Sequence, residues 1–174
     1  MKLRLSEKQL QQQISYFAYY QLAGGLITAG ITLLALARVE HLSSLLLLAY
    51  LAFLCLSGFT TYCGYLCLKP PTKARGLRLS RLSLLAQFLG FAAGGFSFRF
   101  FAGPFVALSI DLTKEFLFKA DASLGEFSFK ISPESDTLLL SINVVAMLLF
   151  FRTTFWLNEW RIRYDTSEPA ANSV

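Results

Sequence analysis

Two long segments without any charged residue constrain this chain more than any other feature. Residues 9–37 and 42–68 contain no Asp, Glu, Lys or Arg. A membrane-spanning helix needs about 20 mostly apolar residues, at a rise of about 1.5 Å per residue. The sequence therefore predicts spanning helices over about residues 17–37 and 42–68. A capping box of Ser6 and Gln9 predicts that the first helix begins near Glu7.

The composition excludes most soluble classes of protein. Residues of the AVILMFWYC set make up 55% of the 174 residues, and charged residues only 16%. A soluble domain is about 25% charged, so this inventory cannot cover a water-facing surface. Disordered and collagen-like chains and soluble enzymes are excluded, and an integral membrane protein is predicted.

Two further apolar segments complete the predicted fold. They run over about residues 79–98 and 138–160, and they contain Arg81 and Arg152. The fold class is therefore expected to be a mainly α membrane protein with four transmembrane helices, in which residues 1–174 form one membrane domain. Residues 166–174 are small and polar and are expected to form a flexible tail.

The distribution of Lys and Arg predicts the orientation of the chain. Basic residues concentrate before the first span, between the second and third spans, and after the fourth: Lys2, Arg4, Lys8, Lys69, Lys73, Arg75, Arg78, Arg161 and Arg163. By the positive-inside rule these segments, and so both termini, are expected to be cytoplasmic, with the chain in the cell membrane. The predicted membrane orientation thus explains the net charge of +5. No nucleic-acid partner is therefore expected.

The first span has a competing interpretation as a secretory signal. Residues 1–37 have a basic start, an apolar middle and the small-x-small sequence Ala35-Leu36-Ala37, which is typical of a cleavage site. The apolar segment is longer than the usual signal core of about 7–15 residues. A retained helix is therefore favoured, and cleavage stays open as the alternative.

A change of period between the third and fourth spans predicts strands. Over residues 105–132, apolar and polar side chains alternate in three short segments that are rich in Phe, with turn residues between them. The turn at 121–125 indicates a hairpin. A small external β lobe is expected, with its Phe-rich face lying on the helix ends or on a partner.

Small residues at helical spacing suggest close helix packing. The first span has Gly24 and Gly25, and the third has Ala86, Gly90 and Gly94, the last two in a GxxxG pattern. Small residues let helix backbones approach closely in membranes. Packing of the first and third spans within one molecule is favoured over dimerisation.

Polar residues within the spans are few, and no acid or lysine lies in the middle of a span. Gln21 and Gln87 are expected to form hydrogen bonds between helices. Arg152 either extends towards the cytoplasmic surface or, if 138–142 joins the sheet, lies near the middle of the membrane. The candidates for an intramembrane polar site are Gln21, Gln87, Asn143 and Arg152, and those for interfacial anchors are Arg99, Trp156 and Trp160.

The sequence contains no recognisable catalytic or cofactor motif. It has one histidine, no phosphate-binding glycine loop and no metal motif, so no catalytic residue, metal or cofactor is predicted. The expected function is that of a non-catalytic membrane interaction protein, such as a subunit, a sensor or an immunity-type protein. Its expected partners are the lipid bilayer and either itself or another membrane protein. The alternative is an oligomeric channel or transport subunit.

Overall fold

A computed structural model describes residues 6–41, 43–113, 117–131 and 138–164. Within these residues the chain forms four α-helices and six strands. The helices are α1 (Glu7–Ala37), α2 (Ser44–Leu68), α3 (Lys73–Phe88) and α4 (Val144–Tyr164), with a 3-10 turn over Pro70–Thr72. The strands are β1 (Leu89–Ala93), β2 (Phe96–Phe101), β3 (Phe105–Asp111), β4 (Leu117–Ser123), β5 (Glu126–Ile131) and β6 (Leu139–Asn143). The predicted tail at 166–174 lies outside the described residues.

The two long helices form an antiparallel hairpin. The predicted start of α1 at Glu7 is confirmed, because Ser6 and Gln9 form the capping box. At α2, the Ser43 hydroxyl accepts a hydrogen bond from the backbone N–H of Leu46 and caps the helix. By length and composition, α1 and α2 can each cross a membrane, and only 28% and 22% of their most apolar windows are buried. Most residues of each window are therefore at least partly exposed in the folded chain.

The predicted third span over 79–98 is wrong in its second half. Helix α3 ends at Phe88, and the chain continues as the β1–β2 hairpin. The turn of this hairpin is formed by Gly94 and Gly95, whose φ angles of 56° and 80° are easily reached only by glycine. Phenylalanines alternate with small or polar residues on both sides of the turn, and this pattern suits strands.

The fourth helix begins later than predicted. Residues 139–143 form β6, and α4 begins at Val144 rather than at 138. Among the described helices, only α1 and α2 combine the length and the apolar composition of a membrane span. The prediction of four transmembrane helices is therefore not confirmed. The coarser prediction, a helix-rich chain with a small antiparallel sheet between its third and fourth helices, is confirmed.

The sheet is larger than the predicted lobe and packs on the side of α2. Its strand order is β4-β3-β6-β1-β2-β5, and every neighbouring pair is antiparallel. The predicted β4–β5 hairpin is wrong, since these strands form opposite edges of the sheet. The Phe-rich face packs along the side of α2, where the Phe53 ring contacts Phe98, Phe100 and Phe127, and not on the helix ends.

The remaining helices close one end of the hairpin. The main core joins the first half of α1 to α3 and α4 through residues such as Leu10, Leu77 and Leu157. Gly76 of α3 lies against Cys67, near the end of α2. The Lys73 Nζ atom lies 5.6 Å from the centre of the Trp160 ring, near the end of α4. The start of α1, the turn after α2 and the end of α4 therefore share one end of the molecule.

Candidate functional site

A row of polar side chains crosses one face of the sheet. Strand register aligns Ser109 of β3 with Lys119 of β4 and with Ser141 of β6, and it aligns Arg99 of β2 with Ser128 of β5. Gly90 of β1 lies opposite Ser141. Side chains alternate between the two faces of a strand, so these residues share one face of the sheet.

Arg99 links four strands of this row. Its Nη1 atom lies 3.0 Å from the Glu126 carboxylate on β5, and its Nη2 atom donates a 3.1 Å hydrogen bond to Ser141 on β6. To reach Ser141, the side chain passes over Gly90, where an added Cβ would lie 2.8 Å from the Arg99 Cγ atom. Glycine at position 90 therefore leaves the space that the arginine occupies.

The sheet is strongly curled, with the polar row on the inside. Arg99 lies 4.0 Å from the Asp121 carboxylate on β4, although three strands separate β2 from β4. In a flat sheet these two strands would be about 19 Å apart, at about 4.8 Å per step. The two edge strands, β4 and β5, are joined by only Leu124 and Gly125. Both observations require the edges to approach each other around the polar face.

The opposite, outward face is apolar and largely uncovered. Its β2 and β5 portion packs on α2, but the portion on the other strands does not. We call this uncovered portion the convex apolar surface. Its members are between 42% and 51% exposed: Leu89, Phe91, Val106, Leu108 and Leu140. A soluble sheet normally turns its apolar face to the core, so this arrangement is reversed.

The inner face holds a hydrogen-bonded polar interior with one unsatisfied group, beside a buried apolar cluster of Phe101, Phe105 and Ala107. The hydroxyls of Ser109 and Ser141 lie 2.7 Å apart, and both residues are buried. The Asn143 Oδ1 atom accepts a hydrogen bond from the backbone N–H of Ala146 and caps α4, while its buried Nδ2 atom has no partner. Asn143 thus lies at the junction of β6 and α4 rather than within a span.

A second ionic group lies at the end of β3. Asp111 accepts hydrogen bonds from the backbone N–H and the hydroxyl of Thr113, and its other oxygen lies 3.1 Å from the Lys119 ammonium. These contacts, led by the Thr113 hydroxyl and then Lys119, lower the pKa of Asp111 from 3.8 to about 2. Asp111 is therefore ionised at neutral pH, in a pair with Lys119.

The candidate glutamines connect helices and loops. The Gln21 Oε1 atom accepts a 2.7 Å hydrogen bond from Ser80, which joins α1 to α3. Gln87 donates to Ser83 within α3, and it accepts a hydrogen bond from the backbone of Ala102. Both side chains are 1% exposed, and both therefore bind protein groups.

The small residues of α1 do allow close approach, but to different partners. An added Cβ at Gly24 would lie 2.7 Å from the Gly103 Cα atom, in the loop after β2. At Gly25 it would contact the Thr61 hydroxyl and lie 2.8 Å from the Ser57 carbonyl of α2. Ala86 is half-buried in α3. Gly90 and Gly94 cannot serve the predicted helix packing, because they lie in β1 and its turn.

The predicted aromatic anchors lie in different environments. Trp156 is 4% exposed and packs on Phe17 with ring centres 5.4 Å apart, so it is a core residue and not a surface anchor. Trp160 is half-buried against Lys73. Arg99 lies in the sheet row and has ionic partners.

Because 139–143 form β6, Arg152 lies near the middle of α4; no membrane depth follows from this position, so its predicted place near mid-membrane stays a prediction. Its side chain is exposed, and its Nη2 atom donates a 3.1 Å hydrogen bond to the Gln13 amide oxygen. The Trp156 ring nitrogen donates to the same oxygen at 3.0 Å. Gln13, which was not a candidate from the sequence, thus joins α1 to α4.

Comparison with known protein families, curated proteins and solved structures finds no match to this chain. Function must therefore be inferred from the geometry. Within the described residues, no group of three or more His, Cys, Asp or Glu side chains could hold a metal ion. The features that remain are the polar interior, the convex apolar surface and the exposed faces of the helices.

Proposed function

We propose that this chain is a non-catalytic integral membrane protein that binds another protein through the convex apolar surface. The observation that carries this proposal is the reversed polarity of the sheet. Charged groups such as Arg99 and Glu126 pair inside the curl, while large apolar side chains such as Leu108 point outward and are about half exposed. Large exposed apolar patches mark protein or membrane interaction sites.

The helical hairpin supports membrane insertion. Large aliphatic side chains are exposed on the parts of α1 and α2 nearest their connecting loop: Leu26, Ile27, Ile31, Leu33, Leu34, Leu45, Leu47, Leu48 and Leu51. We infer that both helices cross the bilayer, because leaving this area in water is unfavourable by about 25 cal/mol per Å².

Charge supports the proposed orientation. The start of α1, the turn after α2 and the end of α4 share one end of the molecule, and Lys8, Lys69, Lys73, Arg161 and Arg163 lie there. The opposite end, at the loop between α1 and α2, has Arg38 beside Glu40. By the positive-inside rule the basic end is cytoplasmic.

A protein fits the convex apolar surface better than lipid does. The surface reaches β3, next to the edge strand β4, which pairs with β3 alone among the described strands. Backbone groups on an open sheet edge cannot be satisfied by lipid tails, so such edges do not face lipid. A protein partner can cover both the apolar side chains and the adjacent edge.

The polar interior supports a non-catalytic function. Arg99 is held by Glu126, Asp121 and Ser141, so its charge is already neutralised by carboxylates. Asn143 caps a helix, and Ser109 bonds Ser141. These groups stabilise the curled sheet by bonding one another. A transport path through the sheet would require these bonds to break. Current across a reconstituted bilayer would therefore favour the channel alternative.

Site-specific photocrosslinking in intact membranes tests this proposal. A photoreactive amino acid is placed at Leu108 or at Leu140, both on the convex apolar surface and both exposed. The expected result is a discrete protein adduct from each position. Its mass distinguishes a second copy of the 19.5 kDa chain from a different protein.

The matched control places the same group at Leu26 of α1, which is 63% exposed and lies on the hairpin away from the sheet. We expect this position to yield lipid adducts. Lipid adducts alone from Leu108 and Leu140 would contradict the proposal, because the convex apolar surface would then face the bilayer.

A further inference from the structure

The structure assigns a second binding site to the groove between α1 and α4. We propose that this groove binds one anionic phospholipid, with the phosphate at Arg152 and an acyl chain along the apolar wall. This inference rests on the membrane insertion proposed above, but not on the protein partner.

The groove has the size and the amphipathic lining of a lipid site. Its volume is about 420 Å³, which lies within the range of about 300–1,000 Å³ for ligand sites. Side chains at helical spacing line it from both helices: Gln13, Tyr16, Phe17 and Tyr20 from α1, and Val145, Leu149, Arg152 and Trp156 from α4. Polar groups lie at one end, and Val145 and Tyr20 lie at the other.

Arg152 carries a positive charge without an acidic partner among the described residues. One of its nitrogens bonds the neutral Gln13 side chain, and its guanidinium carbon lies 5.7 Å and 6.0 Å from the ring centres of Phe155 and Trp156. Within the described residues, Gln13 is the only hydrogen-bond partner of the guanidinium, and the residue is exposed. A guanidinium with free donors matches the geometry of a phosphate group.

The depth of the groove suits a lipid headgroup. From Gln13 to Ala37 the α1 helix is about 36 Å long, at about 1.5 Å per residue. This length lies between the hydrocarbon thickness of about 30 Å and the full bilayer thickness of about 40–45 Å. With the α1–α2 loop at one surface, Gln13 and Arg152 therefore lie at the headgroup level of the other.

The direction of the groove also suits a lipid. Its polar end points to the basic end of the molecule, and its apolar end points towards the sheet and the membrane interior. A phospholipid in that leaflet would have the same orientation, with its headgroup outward and its chains inward.

Lipid titration followed by native mass spectrometry tests the site. The full chain in mild detergent is titrated with phosphatidylglycerol or with phosphatidylcholine. We expect the anionic lipid to bind about fivefold more tightly, which is the contribution of about one cation near a membrane surface. Arg152→Gln should abolish this preference. Arg161→Gln removes the same charge from an exposed position on the same helix outside the groove, and it should retain the preference.

A second variant tests the apolar wall. Leu149→Trp fills the groove without changing its charge, and it should lower the occupancy of both lipids. Glycerol 1-phosphate, which has the phosphate but no acyl chain, should not displace phosphatidylglycerol at equal concentration.

Three results would overturn the inference: equal binding of the two lipids by the unaltered chain, an equal loss of preference in the Arg152 and Arg161 variants, or displacement by glycerol 1-phosphate. A lipid preference without protein adducts from Leu108 would instead overturn only the protein partner.

Discussion

The Arg99 side chain lies across the backbone of Gly90, with its Cγ atom 2.8 Å from the position of an added Cβ. This contact couples β1 to β2 and leads the guanidinium to Ser141 and Glu126. The absence of a side chain at Gly90 and the length of the Arg99 side chain therefore act together. Their combination holds the curl that turns the polar face inward.

Replacement of Gly90 by alanine should destabilise the protein. Alanine normally stabilises a strand relative to glycine, but here its methyl group would displace the Arg99 side chain. We expect a loss of about 1–3 kcal/mol in the free energy of unfolding, which is typical of overpacking. This loss is measured by denaturant titration in detergent, with unfolding monitored by circular dichroism.

A double-mutant cycle separates this contact from other effects. In an Arg99→Ala background, Gly90→Ala should cost little or should stabilise, because the displaced side chain is absent. An equal cost in both backgrounds would show that Gly90 acts independently of Arg99.

Arg99 should contribute more to stability than the exposed cation in the same row. The Arg99 side chain is 20% exposed and bonds two strands, whereas the Lys119 side chain is 50% exposed and bonds Asp111. Arg99→Gln should cost about 1.5–3 kcal/mol, the range for hydrogen bonds to charged groups. Lys119→Gln should cost at most about 1 kcal/mol, as for surface pairs. The same unfolding titration compares them, and equal costs would argue against a curl held by Arg99.

Two glycines of α1 should respond oppositely to the same substitution. At Gly25 an alanine methyl would clash with Thr61 and the Ser57 carbonyl, while at Gly30 there is nothing within 4 Å. Gly25→Ala should therefore separate α1 from α2 and lower the melting temperature in detergent. Gly30→Ala should leave it unchanged or raise it, because alanine favours a helix by about 1 kcal/mol. Similar effects at both positions would show that the hairpin is not closely packed at Gly25.

The sequence predicts the helical hairpin well because its signals are local. Helices α1 and α2 are identified by their long uncharged segments, by the Ser6 cap and by the prolines after Lys69. None of these signals depends on contacts with other parts of the chain. The region from 89 to 98 is also mostly apolar, but its apolar residues have a different period. Gly90 and Gly94 match both a GxxxG helix and a strand with a glycine turn, so hydropathy alone could not distinguish the two.

The polar interior could not be predicted because it depends on distant pairs. Arg99 meets Glu126 and Ser141 only through the strand order, which places β1 and β6 between β3 and β2. The signal that could have indicated a sheet was the alternation of Phe96, Phe98 and Phe100 with Ser97 and Arg99. That pattern predicts one polar and one apolar face, but not which face is inside.

The Asp111 pair should give the sheet an acid-sensitive contribution to stability. The pKa of Asp111 falls from 3.8 to about 2 on folding, so ionised Asp111 stabilises the folded state. The contribution is fully present above about pH 4 and is lost as the pH falls through about 2. Asp111→Asn should therefore be less stable than the parent at pH 6, and the difference should shrink at pH 2. A difference that does not depend on pH would contradict the ionic role.

The accessibility of the native cysteines tests the membrane assignment of the hairpin. Cys55 lies exposed on α2, while Cys63 and Cys67 are fully buried. If α2 crosses the bilayer, Cys55 faces lipid, and a charged maleimide should not label it in intact vesicles although it labels the denatured chain. As a control, His41→Cys in a Cys55→Ser background places the thiol in the exposed loop between α1 and α2. This variant should be labelled from the external side only. Labelling of Cys55 in intact vesicles would show that water, and not lipid, surrounds this face of α2.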